Sequence, residues 1–368
     1  MIVNRRAGLL ATIFALAWLA SCGGSSSSGG GSGSAGRNAY IAVPEANAIA
    51  AYRVDTNSGN LTRVLGSPFP GGTSPIAIAM HPSGNYIYAA NQGSSDVSLF
   101  KINHDTGELA EVMPRTPAGL NPSAIALSTG GDLLFVANQT ANSVSVYTVS
   151  SSDGTLTEAA GSPFATGNRP AALTVTPSGK FLYVASSNLP LVFAYSVTSG
   201  TGSLTSVPGS PFTVGNGPSS MVVDPTEHFL YVANFISNTV SGMTIDSTSG
   251  ALTLTLDSPF ATGTSPIAVT LDPTGKVLYV TNISSNNVSA YAIDTGTGVA
   301  TALDKSPFAA GTRPIAATVD PAGKFLYVCN QSSKNITKFV INTDTGGLPS
   351  NSIVTTLDLA PTALVFAK

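Results

Sequence analysis

Two arginines, Arg169 and Arg313, each stand immediately before a proline, in Asn168-Arg169-Pro170 and Thr312-Arg313-Pro314. A guanidinium presents a planar fork of N–H donors. Two of them facing one space would hold a carboxylate, a phosphate or a developing oxyanion. The alternative is two solvated loop arginines, or arginines bonded to local carbonyls. Glu45, in Pro44-Glu45-Ala46, falls in the arrangement derived below next to the unit that Pro314 opens. It could act as a general base or pair with Arg313.

Other chemistry is thinly supported. The chain has three histidines: His81 in "MHPSGNY", His104 in "NHDTGEL" and His228 in "PTEHF". All three are expected in hairpin turns on the face opposite the arginines, in different units of the repeat described below, so neither a triad nor a zinc site assembles from them. Asn91, Asn138, Asn234, Asn282 and Asn330 recur at the end of one strand in five units. They read as turn caps rather than ligands, because Asn bonds neighbouring backbone and tolerates the left-handed region. The turns "DTNSGN" and "DTGTG" faintly resemble calcium loops but lack the full spacing, so no cofactor is expected and calcium is a minor option.

What must position the arginines is a repeat. Prolines opening an apolar alternation recur at Pro75, Pro122, Pro170, Pro218, Pro266, Pro314 and Pro361, at intervals of 47 or 48 residues. Each unit has a first strand such as "PIAVTL" and a turn such as Asp272-Pro273-Thr274-Gly275. Asp and Pro there suit a type I turn. A second strand ("VLYVTN", "FLYVAN"), a third ("VSAYAI") and a short fourth follow. Four strands per unit with no helical period is the pattern of a β-propeller blade. The last unit, "PTALVFAK", is a first strand alone, while "RNAYIAVPEANAIAAYRV" from Arg37 supplies strands two and three without a first. The expected fold is therefore all-β: a seven-bladed propeller of four-stranded blades, closed by the C-terminal strand joining the N-terminal blade. Ligands of such rings enter at the mouth bearing the loops between blades, where the residues before the prolines lie.

Tyr279-Val280-Thr281-Asn282 is the tetrapeptide of the YVTN family of propeller repeats. Together with five "SPF" copies, at Ser67, Ser162, Ser210, Ser258 and Ser306, the unit resembles the seven-bladed lactonase family, which includes one type of 6-phosphogluconolactonase. The resemblance spans residues 37–368 and implies lactone hydrolysis, a carboxylic ester hydrolase activity. Family enzymes tend to carry His directly after several of the prolines. Here those residues are Ile76, Ser123, Ala171, Ser219, Ile267, Ile315 and Thr362. Two functions stay open: a binding or interaction scaffold using the channel mouth, or a lactonase. In the lactonase, water would attack the carbonyl, Arg169 or Arg313 would stabilise the oxyanion, and Glu45 or a loop Asp would serve as base.

The N-terminus reads as an export signal. Arg5 and Arg6 precede an apolar run from about Ala7 to Ala20, too short for a comfortable membrane span. Leu19-Ala20-Ser21-Cys22 resembles a bacterial lipobox. The expected organisation is a lipoprotein signal peptide at 1–21, lipidated Cys22 with a Gly/Ser tether through 36, and the propeller at 37–368. Gly23 after the cysteine points to the outer membrane. With Cys22 lipidated, Cys329 has no disulfide partner and reads as a small buried side chain. Of 16 basic residues, Arg5 and Arg6 fall in the leader, leaving 14 against 19 acidic, with no basic run. Nucleic acid is thus an unlikely partner. The expected partners are a small anionic or sugar-derived ligand, or another envelope protein, with the membrane touched through the lipid alone.

Overall fold

The computed structural model describes residues 37–349 and 353–367. The expected signal peptide, the expected lipidation at Cys22 and the expected tether lie outside them. Among the described residues no helix is long and apolar enough to cross a membrane.

Seven antiparallel sheets form the blades of a β-propeller. In blade II the strands are Pro75–Met80, Tyr86–Asn91, Asp96–Ile102 and Leu109–Pro117, from the channel outwards. Blades III to VII repeat this order from Pro122, Pro170, Pro218, Pro266 and Pro314. Blade I is shared between the ends of the chain: Ala363–Phe366 pairs with Arg37–Val43, with Ala39 opposite Phe366 and Ala42 opposite Ala363. The ring closes with no open inner edge, as the split unit requires.

Alternation fails in the inner and second strands for a physical reason. Both faces of each blade pack on neighbouring blades, so Phe325–Asn330 is buried at every position. The second-strand tyrosine is the tie between blades. Tyr40, Tyr88, Tyr183, Tyr231, Tyr279 and Tyr327 each donate a hydroxyl hydrogen bond of 2.6–3.2 Å to a glycine carbonyl in the outer hairpin of the next blade. Tyr327 to Gly59 carries the tie across the closing seam. Phe135 stands at this position in blade III and has no hydroxyl to donate.

The "SPF" copies also prove structural. In five blades the outer strand is split, and its second piece, such as Phe260–Ala261, pairs again with the third strand. Each serine precedes a cis proline. Its Oγ accepts the third-strand N–H left between the two pieces, as Ser258 does from Gly242 at 3.0 Å and Ser306 from Ala290 at 2.9 Å.

The inner strand starts at one face of the ring, here the mouth, and runs to the opposite hairpin face. Arg37 begins its strand at the hairpin face, and the inner strand of blade I ends there, with the Ala367 N–H on the Asn38 carbonyl.

Candidate functional site: the channel mouth

The mouth is built from three positions per blade. The residue before each strand-opening proline has positive φ in blades II to VII, from 54° to 67°, which turns its carbonyl and side chain away from the strand path. That carbonyl accepts the N–H of the residue following the second strand, as Arg169 does from Ser187 and Arg313 from Gln331. The N–H of Arg169 is held by Asn142 Oδ1 at 2.8 Å, and that of Arg313 by Asn286 Oδ1 at 2.8 Å. Each arginine backbone is therefore fixed by the previous blade's turn and by its own.

The residue after each of the first six prolines is the extra residue of a β-bulge. Pro314 pairs with Asn330 and Ala316 with Cys329, leaving Ile315 between. Bulges often aim functional side chains. Here the aimed groups are apolar, or hydroxyls spent on backbone: Ser123 Oγ donates to the Pro170 carbonyl at 2.8 Å, and Ser219 Oγ to that of Pro266 at 3.0 Å. Ile267, Ile283 and Ile315 belong to one buried apolar cluster, against which Phe235 packs.

Arg169 is half-buried. Its Nη2 donates to Gln139 Oε1 at 3.3 Å, while Nε is shut from solvent and has no acceptor. Arg313 is exposed in blade VII, three blades from Arg169, and the described contacts do not bring the two guanidiniums together. Glu45 sits on a short 3-10 turn, Pro44–Ala46. It pairs with Lys334 Nζ at 3.2 Å rather than with Arg313. Lys334 lies in a turn of blade VII, and the sequence reading passed it over because alignment of the repeats places Ser, Asn or Pro there. Glu45, Lys334, Gln331 and Thr362 line a cleft of about 330 Å³ between blades VII and I. Arg313 borders it through its backbone bond to Gln331.

A third position was also missed: the residue just after the second strand. It is Gln92, Gln139 and Gln331 in blades II, III and VII, Ser187 in IV, but Phe235 and Ile283 in V and VI. The departure is visible in the aligned units. The neighbouring asparagines mask it, because they seem to mark the start of an ordinary turn. Those asparagines are buried. Asn282 Nδ2 donates to Asn287 Oδ1 and Ser289 Oγ, both at 2.9 Å, tying the second strand to the third. Each packs beneath a loop glycine: a Cβ on Gly263 would lie 2.6 Å from Asn282 Cγ.

The histidines lie on the hairpin face, but His81 and His104 share blade II, contrary to the expected separation. His104 Nε2 meets Asn85 Oδ1 at 2.8 Å. The turn aspartates are engaged by their own backbone. Asp246 Oδ1 accepts from Thr248 N and Ser249 N at 3.0 and 2.7 Å, and these bonds hold its carboxyl below the usual range. Among the described residues no three His, Cys, Asp or Glu side chains converge on a metal position. Cys329 is fully buried, and desolvation pushes its thiol up to about 12.

A profile of the family described as "Lactonase, 7-bladed beta-propeller" matches overlapping stretches that together run from residue 31 to 355. The chain belongs to this lactonase family. A candidate 6-phosphogluconolactonase from Bacteroides fragilis is 20% identical, with a TM-score of 0.80 over 92% of this chain and 100% of that one. A periplasmic gluconolactonase from Pseudomonas aeruginosa is also 20% identical, with a TM-score of 0.76 over 90% and 99%. A protein from Lactobacillus plantarum gives 0.75 at the same identity. At this identity the likeness concerns the fold. No curated protein matches the chain. In this chain the mouth carries amides, a serine and apolar groups after the second strands, and no histidine follows any of the seven prolines.

Proposed function

We propose that this lactonase-family ring binds a small anionic, sugar-derived ligand at its mouth and holds it without turnover. The observation that carries the reading is Arg169 Nε, buried without an acceptor on a guanidinium whose backbone is locked on both sides. Leaving a charged donor unpaired costs at least about 1–3 kcal/mol, and a ligand oxygen would relieve that cost. Catalysis needs a base beside the bound group. Glu45 is already paired with Lys334, and the bulge positions carry none.

Family membership and neighbours named as gluconolactonases favour a second reading, lactone hydrolysis. Water would attack the ring carbonyl, Glu45 would take its proton, and Arg169 or Arg313 would face the oxyanion. Titrating residues 37–368 with gluconate and inorganic phosphate, alongside a lactone panel, separates the two. Binding lost in Arg169→Gln with no turnover above buffer supports the scaffold. Turnover that falls in Arg169→Ala plus Arg313→Ala supports the hydrolase.

The cellular setting belongs to the same proposal: export, lipidation of Cys22 and anchoring to the cell envelope at the outer membrane. Cys22→Ser is expected to move the protein from the membrane pellet to the soluble fraction. A pellet that retains it would argue for another anchor.

A further inference from the structure

We infer that the cleft at the seam between blades VII and I binds a small zwitterion, an α-amino acid, held between Lys334 and Glu45. It is a second site, in which blade IV and its Arg169 take no part. The seam departs from the other blade junctions in two linked ways. In blades II to VII the carbonyl before the strand-opening proline accepts an N–H from the residue after the second strand. In five of these blades the N–H of that same residue is capped by an Asn or Ser from the preceding turn, as Asn47 caps Ser74 at 2.9 Å.

In blade I the residue before the proline is Ala360, and neither clamp reaches it. The capping position is Lys334, whose side chain has no acceptor. The residue after the second strand is Pro44, which has no N–H. Among the described residues no group bonds the Ala360 N–H or carbonyl, although Ala360 is only 6% exposed. Buried peptide groups without partners are rare, because each has given up a hydrogen bond it had in water. Ala360 lines the cleft of about 330 Å³ together with Glu45, Lys334, Gln331 and Thr362. The cleft is therefore the side from which a partner can reach it.

Charge selects the partner. The cleft offers one cation and one anion, so a lone anion would meet Glu45 and a lone cation would meet Lys334. An α-amino acid carries both charges on neighbouring atoms. Its carboxylate would accept from the Lys334 ammonium and the Ala360 N–H, and its ammonium would donate to Glu45 and the Ala360 carbonyl. Lys334 and Glu45 are 47% and 52% exposed at 3.2 Å, and a pair this wet holds weakly. Exchanging it for two charge-assisted bonds to a ligand costs little. Such a ligand would touch blade VII through one charge and blade I through the other, and so staple the seam.

The ring closes within residues 37–367, so residues 37–368 serve for the test. The probes are L-alanine, lactate, propanoate and ethylamine, titrated by calorimetry or NMR at neutral pH. Alanine is expected to bind at least about tenfold tighter than each of the others, the factor one charge-assisted bond supplies. It should also raise the thermal midpoint as its concentration rises. Glu45→Gln should weaken alanine and ethylamine while leaving lactate and propanoate no weaker. Lys334→Ser, which places there the residue that blade II carries, should weaken alanine, lactate and propanoate and spare ethylamine. A purely structural ion pair would not split the probes in this way. Alanine bound no better than lactate overturns the zwitterion. Alanine binding that survives both variants, or no binding of alanine at all, overturns the site.

Discussion

His81 shows how one residue can couple the fold to pH. It stands where other blades place a turn aspartate such as Asp272. Its Nδ1 accepts from the Ser83 N–H at 3.2 Å, and Nε2 reaches the Gly131 carbonyl at 3.2 Å. That pattern needs the neutral ring with its proton on Nε2, and partial burial lowers the pKa below the ordinary value. The folded state therefore resists a proton that the unfolded chain accepts near pH 6.5. Stability should be full above that value and fall as pH drops through it. Urea midpoints at pH 7.5 and 5.5 test this, and His81→Asp is expected to shrink the difference. Lys338 makes the opposite case, a residue explained only by its partner blade. It sits on the third strand where other blades have Ala, Leu, Val or Gly, yet it is 3% exposed. Its Nζ bonds the Ser58 carbonyl and Asn60 Oδ1 of blade I and lies 5.4 Å from the Phe325 ring centre. Lys338→Ala would remove a charged donor from two exposed residues, Ser58 and Asn60, which water can then satisfy, and is expected to cost about 1–2 kcal/mol by urea unfolding.

At the level of the blade, the tyrosine hydroxyl and the "SPF" serine each close one hydrogen bond that the sheet cannot make for itself. Tyr279→Phe leaves the Gly346 carbonyl without its 2.7 Å donor, and Ser258→Ala strands the Gly242 N–H. Each should lower stability by about 1 kcal/mol with the fold kept, measured by urea denaturation. These roles were invisible in the sequence although the residues were conspicuous. Repetition reports that a position matters, not which neighbour it meets. The strands themselves were legible, because burial on both faces forces long apolar runs and the prolines mark their starts. The split blade was legible because its two fragments complement each other. The mouth was only half legible. Arg169 and Arg313 announce themselves before prolines, whereas the bulge after each proline leaves no mark. Lys334 meets Glu45 only through the seam between two blades 289 residues apart along the chain. Phe235 and Ile236 were readable as departures from the repeat, but they lie in what looks like a turn.

Over the whole ring, charge gathers where the chain's ends meet. Among the described residues there are four salt bridges. Three join blade VII or its trailing linker to blade I: Arg37–Asp320 at 3.9 Å, Arg63–Asp358 at 2.8 Å and Lys334–Glu45 at 3.2 Å. Surface pairs are worth at most about 1 kcal/mol each, so they guide the seam more than they hold it. The holding is done by Leu364 and its neighbours in the last strand, which are almost wholly buried. Deleting 361–368 is expected to abolish the cooperative thermal transition, whereas raising salt should lower the midpoint only slightly. A sharp transition in the truncated chain would show that the ring can stand open. The two ends that make this seam both leave from the hairpin face. A molecule grafted through either terminus to a bead, a sensor chip or a lipid film would therefore turn that face to the support and its mouth to the medium. Immobilisation by a tag at either end should leave ligand capture undiminished, whereas random lysine coupling would hide a fraction of the sites.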